Sequence, residues 1–417
     1  MITAALIMVW LGYLGLLYFS IFWLLVFMDK GVKEEEKPLR QHPQVTIAIP
    51  AYNEEHNILA TILSALNLNY PPDKVQIIVV NDGSKDNTKA RCQEIIQQHP
   101  ERNILLLSQK NKGKGAALNH ALQKATGEIF IPFDADSLIR RDALQKMIPE
   151  FDQEDMGAVL PLMKVRNPQN LLEKIQWCEY LINLFYKKLM SNLDCVSVAP
   201  GPFSAYRASV IRKLGGFDEN NLTEDLEISL KLQKHHYKLK QIFTTEVYTR
   251  VPSSLRAFFR QRNRWYKGTL LNAIRYRKMA FSRKYGDFGF IQMPRLILES
   301  IVVAFLFCYV TYASMLKPLA LKFYNLSLIN YEIIIPFSNY YRNLEFLDLN
   351  LVNIFHSIAF GLVALLLVYY AHKHTREPLK KHGYITIPAY MIAYSILAAL
   401  AILSVFFDLA RGRVQKW

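Results

Sequence analysis

The chain has 417 residues, of which 51% are hydrophobic and 20% are charged. That composition excludes both a disordered chain and one made only of membrane spans, and the length allows two or three domains. Lysine and arginine outnumber aspartate and glutamate by 50 to 35, so the formal net charge is +15. Positive charge favours anionic partners such as lipid head groups, nucleotides or nucleic acid, without choosing among them. Four widely spaced cysteines with no CxxC pair indicate neither a disulfide framework nor a zinc site, and are typical of a reducing compartment.

Four apolar segments are long enough to cross a membrane. The first, residues 2–28, contains no charged side chain, and the charges that follow it favour a retained anchor over a cleaved signal peptide. The other three lie near the opposite end, at about residues 296–316, 351–371 and 385–407. The sequence therefore predicts one transmembrane helix within residues 1–29, three more within residues 291–408, and a soluble region between them.

Basic residues predict the orientation of these spans. They cluster after the first span, before the second, and between the third and fourth, which places those three regions in the cytosol. The predicted location is thus the cell membrane, crossed several times, with the soluble region cytosolic and residues 317–350 outside. Within that outer segment, the apolar residues 326–337 are too few to span and are either re-entrant or interfacial. If this segment crossed the membrane, the predicted orientation of every later segment would be reversed.

The soluble region alternates between strand-like and helix-like patterns. The strand-like runs are VTIAIP (45–50), VQIIVV (75–80), ILLLS (104–108) and EIFIPFDAD (128–136), and helical patterns occupy residues 56–68, 87–98 and 116–125. This alternation predicts an α/β fold with a parallel sheet and helices on both faces. Ligands bind such sheets at the carboxyl ends of the strands, which is where chemistry is expected.

Polar motifs follow three of the predicted strands: PAYNEE (50–55), NDGS (81–84) and DAD (134–136). Any one alone is typical of a turn, but three in sheet order favour a ligand site. The carboxylates of Asp134 and Asp136 suit Mg²⁺ or Mn²⁺, the alternative being a solvated acidic turn. Before the third helix, Lys112 and Lys114 flank a glycine, an arrangement that suits a phosphate but does not match a P-loop.

Two further motifs lie downstream. In TED, Glu224 and Asp225 follow Thr223, a plausible helix N-cap, so these carboxylates are either functional or ordinary partners of the helix dipole. In QRNRW, Gln261, Arg264 and Trp265 share one face of a helix by the i, i+3, i+4 rule. The alternative is an amphipathic helix in the membrane interface, and the two readings are compatible.

From residue 45 to 268 these motifs resemble the inverting family-2 glycosyltransferases, whose catalytic domain has the nucleotide-binding, Rossmann-like GT-A fold. NDGS and DAD are signals of the whole family. TED followed by QRNRW resembles the membrane-integrated polymerising branch, the synthases of cellulose, chitin, hyaluronan and poly-N-acetylglucosamine. Because hyaluronan and chitin-oligomer enzymes usually carry a GDD-type motif instead of TED, the chain looks most like the poly-N-acetylglucosamine type. The resemblance implies a GT-A domain over residues 44–250 and interfacial helices over residues 251–290.

The resemblance also implies a role for each motif. A UDP-sugar, with UDP-N-acetylglucosamine as the best match, would be the donor, and Mg²⁺ or Mn²⁺ would bind Asp134 and Asp136. Asp225, beside Glu224, would be the catalytic base. The acceptor end would lie at Trp265 and, from the likeness of APGPFSAYR (199–207), at Gly201 and Pro202. The implied donor-binding residues are Ala51, Tyr52, Glu54, Asp82, Lys114, Asp134, Asp136, Gln261 and Arg264.

The implied function is elongation of a β-linked extracellular polysaccharide, with a growing glycan and membrane lipids as partners. One alternative is a non-processive transferase that adds one or two sugars to a membrane lipid, and QRNRW counts against it. A catalytically inactive membrane scaffold is disfavoured by three intact acidic motifs. Nucleic acid is not an expected partner, because no nucleic-acid-binding motif is present. Since four spans are fewer than the larger synthases use, an accessory membrane subunit or an oligomer stays a candidate partner.

Overall fold

One mixed β-sheet organises the soluble region. The computed structural model describes residues 37–328 and 351–413, with isolated residues and short runs between Trp10 and Met28. The sheet has eight strands in the order β3-β2-β1-β4-β7-β6-β8-β5. The strands are β1 Val45–Ala51, β2 Val75–Asp82, β3 Ile104–Gln109, β4 Ile129–Pro132, β5 Leu138–Ile139, β6 Met156–Val165, β7 Ala205–Arg207 and β8 Lys238–Thr249.

The first four strands are parallel, as the alternating pattern predicts. The sheet as a whole is mixed, because β7 runs antiparallel to both β4 and β6, and β5 runs antiparallel to β8. The fourth strand is shorter than its sequence pattern indicates. It ends at Pro132, and the next residues leave the sheet in a turn that the Ser137 N–H closes by donating to the Asp134 carbonyl at 3.0 Å. That turn is the bend that both aspartates need in order to face one site.

Helices cover both faces of the sheet and extend beyond it. The three predicted helices differ from the observed ones by at most two residues at either end. The helices are α1 Ile58–Leu66, α2 Thr88–Gln98, α3 Lys114–Lys124, α4 Ala143–Met147, α5 Leu171–Ser191, α6 Ala208–Lys213, α7 Glu224–Lys234, α8 Leu255–Arg275, α9 Met293–Thr311, α10 Lys317–Leu328, α11 Leu351–His374, α12 Thr386–Ala389 and α13 Ser395–Ala410. Single π-helical turns, Phe288–Gln292, Tyr312–Leu316 and Tyr390–Tyr394, adjoin α9 and join α12 to α13.

Two apolar cores form, one on each face of the sheet. Ile47, Ile58 and Ile95 belong to the core beneath α1 and α2. The other core is built by α3, α5 and α7, and it also takes in Trp23 from the N-terminal segment. Burial of these side chains is the main force that holds the sheet and its helices together.

Two helical segments in the described part of the chain are long and apolar enough to cross a membrane, Phe288–Thr311 and Thr386–Ala410. They correspond to the predicted spans at residues 296–316 and 385–407. The predicted span at residues 351–371 lies in α11, whose first side chains are outside the described residues.

The predicted N-terminal span is described only in part. Residues 1–9 lie outside the described residues, and the described ones from Trp10 to Met28 are helical. The Trp23 ring meets Tyr186 of α5 edge to face at 5.8 Å, and the Phe27 ring lies 4.8 Å from Tyr370 of α11. The segment at residues 326–337, predicted to be re-entrant or interfacial, lies outside the described residues from 329 onward.

Gly268, within α8, allows the loop before α7 to pack directly on the α8 backbone. A Cβ at this position would lie 2.6 Å from Thr223 Cγ2 and 3.0 Å from Thr223 Cβ. Real side chains do not approach so closely, so either the loop or the helix would have to shift. The packing of α8 against residue 223 therefore depends on a glycine in mid-helix, where glycine is otherwise unfavourable.

We expect Gly268→Ala to lower the free energy of unfolding by about 1–3 kcal/mol, because overpacking outweighs the gain of about 1 kcal/mol in helix propensity. Gly361→Ala is the matched control, since Gly361 also lies within a helix and a Cβ there would meet nothing within 4 Å. Thermal unfolding in detergent measures both variants. A Gly268→Ala protein as stable as the wild type would contradict this packing argument.

Candidate active site

The loops after β1 and β2 are joined by hydrogen bonds, which fixes the first two polar motifs relative to each other. The Asn53 N–H donates to Ser84 Oγ at 3.1 Å, and the Lys85 N–H donates to Asn53 Oδ1 at 2.8 Å. Asn53 has a φ of 55°, a left-handed conformation that asparagine tolerates better than most residues. Ala51 is buried at the end of β1, and the neighbouring Tyr52 side chain is 43% exposed.

Asp82, at the end of β2, organises the loop that leads into α3. Its Oδ1 accepts hydrogen bonds from Gln109 Nε2 and the Lys112 N–H, each at 2.9 Å. Its Oδ2 accepts from the Gly113 N–H at 2.9 Å. The buried carboxylate thereby holds the start of α3, and so the position of Lys114. The uridine-binding role that the family resemblance implies for Asp82 stays a prediction.

Lys114 is the central cation of the site. Its Nζ lies 2.5 Å from Asp134 Oδ1 and 3.4 Å from Glu224 Oε1, so it joins the DAD and TED motifs. The pKa of Lys114 is raised, because the attraction of Asp134, Glu224 and Asp225 outweighs the opposing effect of burial. Lys114 is therefore charged at neutral pH, and it is suited to meet an anionic group.

A third carboxylate, Glu54, shares the site with the two aspartates of DAD. Burial, together with the negative charges of Asp134 and Glu54, raises the pKa of Asp136 to about 6. Burial likewise raises the pKa of Glu54, with Asp134 adding to the effect. Crowded carboxylates of this kind repel one another, and a divalent cation relieves that repulsion.

The DAD aspartates fit a hard divalent ion. Within the described residues, no group of three His, Cys, Asp or Glu side chains is arranged to hold a metal by itself. Two carboxylates are nevertheless what Mg²⁺ commonly takes from a protein, with water and substrate phosphates completing its shell. The residues present therefore suit an ion that binds together with a phosphorylated ligand.

The segment at residues 199–204 closes one side of this site. Gly201 lies so close to the Lys114–Asp134 pair that a Cβ there would collide with Lys114 Nζ and lie 3.2 Å from Asp134 Oδ1. The loop is strained, since Phe203 has a φ of 58°, and it is held by the hydrogen bond from the Phe203 N–H to the Pro132 carbonyl at 2.8 Å. Pro202 is buried beside Gly201.

The two acids of TED have different environments at the start of α7. Glu224 is buried, and burial raises its pKa although Lys114 opposes the shift. Asp225 is partly exposed, and its Oδ1 accepts the Leu226 N–H at 2.8 Å. A carboxylate in the first helical turn is stabilised by the helix dipole. Asp225 is therefore the acid of the pair that a ligand can reach.

The three predicted residues of the QRNRW helix, α8, have different surroundings. The Arg264 NH1 donates to the Leu222 carbonyl at 3.2 Å, beside TED, and its charge acts on Glu224. The Trp265 indole is partly buried against the core that contains α5. Gln261 Oε1 is buried and accepts no hydrogen bond within the described part of the chain.

Two residues that neighbour predicted site residues were not themselves predicted from sequence. Arg262 is fully buried, its NH2 bonds Glu179 of α5 at 2.5 Å, and its guanidinium lies 4.2 Å from the centre of the Trp265 ring. Burial lowers the pKa of Lys187, also on α5, to about 8, with the negative Asp225 opposing the shift. Arg262 lies within the QRNRW motif but was left out because it is not on the helix face shared by Gln261, Arg264 and Trp265. Lys187 had no sequence signal, because only the fold brings it near Asp225.

The structure thus brings most of the predicted residues to one edge of the sheet. Lys114 joins Asp134 to Glu224, Glu54 lies near both aspartates, and Arg264 flanks TED. Among the described residues, no hydrogen bond or ion pair connects Tyr52, Gln261 or Trp265 to that centre.

Comparison with known proteins shows which proteins this chain resembles. Residues 46–215 match the family model described as glycosyl transferase family 2. The chain is 33% identical over 229 residues to poly-beta-1,6-N-acetyl-D-glucosamine synthase of Staphylococcus aureus (strain COL), covering 54% of each chain. The enzyme of the same name from Staphylococcus epidermidis is 32% identical over 233 residues, covering 55% of this chain and 56% of that protein. The chain spans about half the length of the curated relatives it matches.

A solved structure shares the fold. The mannosyltransferase PcManGT from Pyrobaculum calidifontis, in complex with GDP-Man and Mn²⁺, superposes with a TM-score of 0.57 at 22% identity and covers 81% of this chain and 94% of its own. At that identity the likeness concerns the fold alone. The matched family model and the homologous synthases, independently of that fold likeness, identify residues 46–215 as a family 2 glycosyltransferase domain.

Proposed function

We propose that the protein transfers N-acetylglucosamine from UDP-N-acetylglucosamine to a growing β-linked polysaccharide, inverting the anomeric configuration. The observation that carries this proposal is the ion-pair centre at Lys114, which joins Asp134 of DAD to Glu224 of TED. A nucleotide-diphosphate site and a carboxylate base are the two parts that inverting transfer requires. The donor's identity is supported by the names of the homologous synthases.

The catalytic step needs one base and a stabilised leaving group. The acceptor hydroxyl oxygen bonds to the anomeric carbon while the bond from that carbon to the diphosphate oxygen breaks, and the hydroxyl proton passes to Asp225. Lys114 and Arg264 stabilise the charge that develops on the departing UDP. Asp134 and Asp136 would hold a divalent ion, which supplies further charge neutralisation on the diphosphate. No covalent intermediate on the protein is required.

The rest of the chain is assigned accordingly. We propose a GT-A catalytic domain over residues 44–250 facing the cytosol, interfacial helices over residues 251–290, and membrane helices at both ends of the chain. Ala51, Tyr52, Glu54, Asp82 and Gln261 bind the donor together with the charged residues above. Trp265, Gly201 and Pro202 hold the acceptor end. The Arg262 guanidinium packs over the Trp265 ring and holds the indole in position.

We expect Asp225→Asn to lower kcat by about 100-fold or more while UDP affinity changes little, because the amide keeps the shape but accepts no proton. Asp73→Asn, at an exposed acid in a surface turn, is the control and should leave both quantities unchanged. Release of UDP from UDP-N-acetylglucosamine in purified membranes gives kcat, and calorimetry gives the affinity. Turnover within a few-fold of wild type would remove Asp225 from the role of base.

Chelation should abolish transfer, and either Mn²⁺ or Mg²⁺ should restore it, because the two DAD carboxylates need a counter-ion to hold a diphosphate. Asp136→Asn should not be restored at the same metal concentration. Mn²⁺ binding in the presence of UDP, followed by electron paramagnetic resonance, checks the site without turnover. Full activity in chelator, or unchanged Mn²⁺ binding by Asp136→Asn, would refute the metal role.

Two neighbouring substitutions on α8 separate polymer synthesis from single transfer. Trp265→Ala should shorten the products while UDP affinity is kept, because it removes the stacking surface for a sugar face. Trp265→Phe is the control that preserves an aromatic ring and should retain longer products. Arg264→Ala should lower all transfer by about 10-fold or more, since a cation near the leaving diphosphate is lost.

Product length and UDP affinity are measured for these variants in one membrane preparation. If Trp265→Ala lost nucleotide affinity as severely as Arg264→Ala, the acceptor role of Trp265 would be wrong. If the wild type produced only adducts of one or two sugars on a membrane lipid, the non-processive alternative would replace the proposed function.

A further inference from the structure

The apolar C-terminal helix is attached at its beginning to the catalytic domain and at its end to α8, which directly follows that domain. The helix comprises α12, the π-helical turn Tyr390–Tyr394 and α13, and runs over Thr386–Ala410. Its 25 residues give a length of about 37 Å at ~1.5 Å per residue, enough to cross a membrane. A helix that crossed would carry its two ends to opposite sides, and one domain could not bond to both.

The beginning of the helix is anchored through the segment that precedes it. Lys164, buried on β6, lies 2.7 Å from Glu246 of β8, 3.2 Å from Glu377, and donates to the Thr375 carbonyl at 2.7 Å. Closer to the helix, the His382 ring meets Trp177 of α5 edge to face at 4.5 Å. The residues just before Thr386 are thus fixed to the sheet and to α5.

The end of the helix is anchored to α8. Lys267, which is fully buried, donates to Asp408 Oδ2 at 2.7 Å and to the Arg413 carbonyl at 3.2 Å. Asn263 Nδ2 donates to Ser404 Oγ at 2.8 Å and to Asp408 Oδ2 at 3.1 Å. A buried lysine needs such a partner, so this contact is costly to break.

Between its anchored ends the helix turns an apolar face outward. Ile385, Ile392, Ile396, Leu400 and Phe407 are exposed at intervals of four or seven residues, whereas Thr386, Ala399, Ile402 and Val405 are buried. Basic residues flank both ends, Lys373, Arg376, Lys380 and Lys381 before it and Arg411, Arg413 and Lys416 after it. Positive charge at both ends places both ends on the cytosolic side.

We propose that Thr386–Ala410 does not cross the membrane but lies along its cytosolic surface, with its exposed apolar face in the acyl chains of one leaflet. The flanking lysines and arginines then lie at the level of the lipid phosphates, as is usual for helices in the interface. The C-terminus is cytosolic. This inference rests on the proposed cytosolic placement of the catalytic domain, and it replaces the fourth crossing that hydropathy predicts.

Thiol accessibility in intact cells tests the sidedness. Cys308, the exposed native cysteine, is changed to serine, while the buried Cys92, Cys178 and Cys195 are kept. One exposed cysteine at a time is then introduced by Arg413→Cys, Lys85→Cys or Lys317→Cys. Labelling at position 85 reports the side of the membrane on which the catalytic domain lies. Labelling at position 317 reports the side reached by the end of the span Phe288–Thr311. We expect a membrane-impermeant maleimide to label position 413 only after permeabilisation, together with position 85. Labelling of position 413 in intact cells while position 85 stays protected would overturn the inference.

The same experiment separates this inference from the proposed function. Labelling of position 85 in intact cells would refute the cytosolic placement of the domain. If positions 85 and 413 are labelled under the same conditions, whether in intact or in permeabilised cells, the end of the helix lies on the same side of the membrane as the catalytic domain. That result would still support a helix that does not cross. None of these readouts requires sugar transfer.

Depth measurements test the orientation of the helix directly. Spin labels at Ile392→Cys, Leu400→Cys and Phe407→Cys, in vesicles of mixed neutral and anionic lipid, are compared by power saturation with oxygen and a polar nickel complex. We expect similar depths for all three, about 5–10 Å below the phosphates. A progressive change, with position 400 near the bilayer centre, would show a crossing helix and overturn the inference.

Discussion

The contact on which the site depends is the bridge from Lys114 to Asp134 and Glu224. These residues come from the start of α3, the turn after β4 and the start of α7, so a single ammonium group holds three elements together. Without the lysine, the buried Glu224 and the crowded aspartates would be unpaired, which proteins rarely tolerate. An anionic ligand that binds Lys114 must compete with these carboxylates, and a divalent ion on the aspartates would release the lysine for that purpose.

The helix α8 connects this site to the apolar C-terminal helix, because different sides of α8 contact the loop before TED, α5 and the C-terminal helix. Arg264 and Gly268 face the loop before TED, Arg262 pairs with Glu179 on α5, and Asn263 and Lys267 bond the C-terminal helix. Five of the seven positions 262–268 are thus occupied by polar contacts or by a required close approach. The basic and aromatic composition of the motif follows from those contacts rather than from a single solvent-exposed face.

The proposed position of Thr386–Ala410 gives these contacts a consequence. A helix that is embedded in one leaflet and bonded to α8 sets the height of the catalytic domain relative to the lipid surface. Asp408 and Ser404 therefore link the membrane surface to the helix that carries Arg264 and Trp265. The ion pair at Lys164 serves the same purpose at the other end of the helix.

The sequence by itself determined the parallel strands β1 to β4, their helices, and the polar motifs at the strand ends. These are local patterns, since alternating apolar runs and turn residues are read over a few neighbours. Only the tertiary structure decided that β7 enters the sheet antiparallel, that Lys114 pairs with Glu224, that Arg262 pairs with Glu179, and that Lys187 lies near Asp225. Each of these depends on residues far apart in the chain. Hydropathy likewise shows that residues 385–407 are apolar, whereas the proposal that both ends of this segment lie on one side of a membrane rests on the tertiary contacts of Lys164 and Lys267.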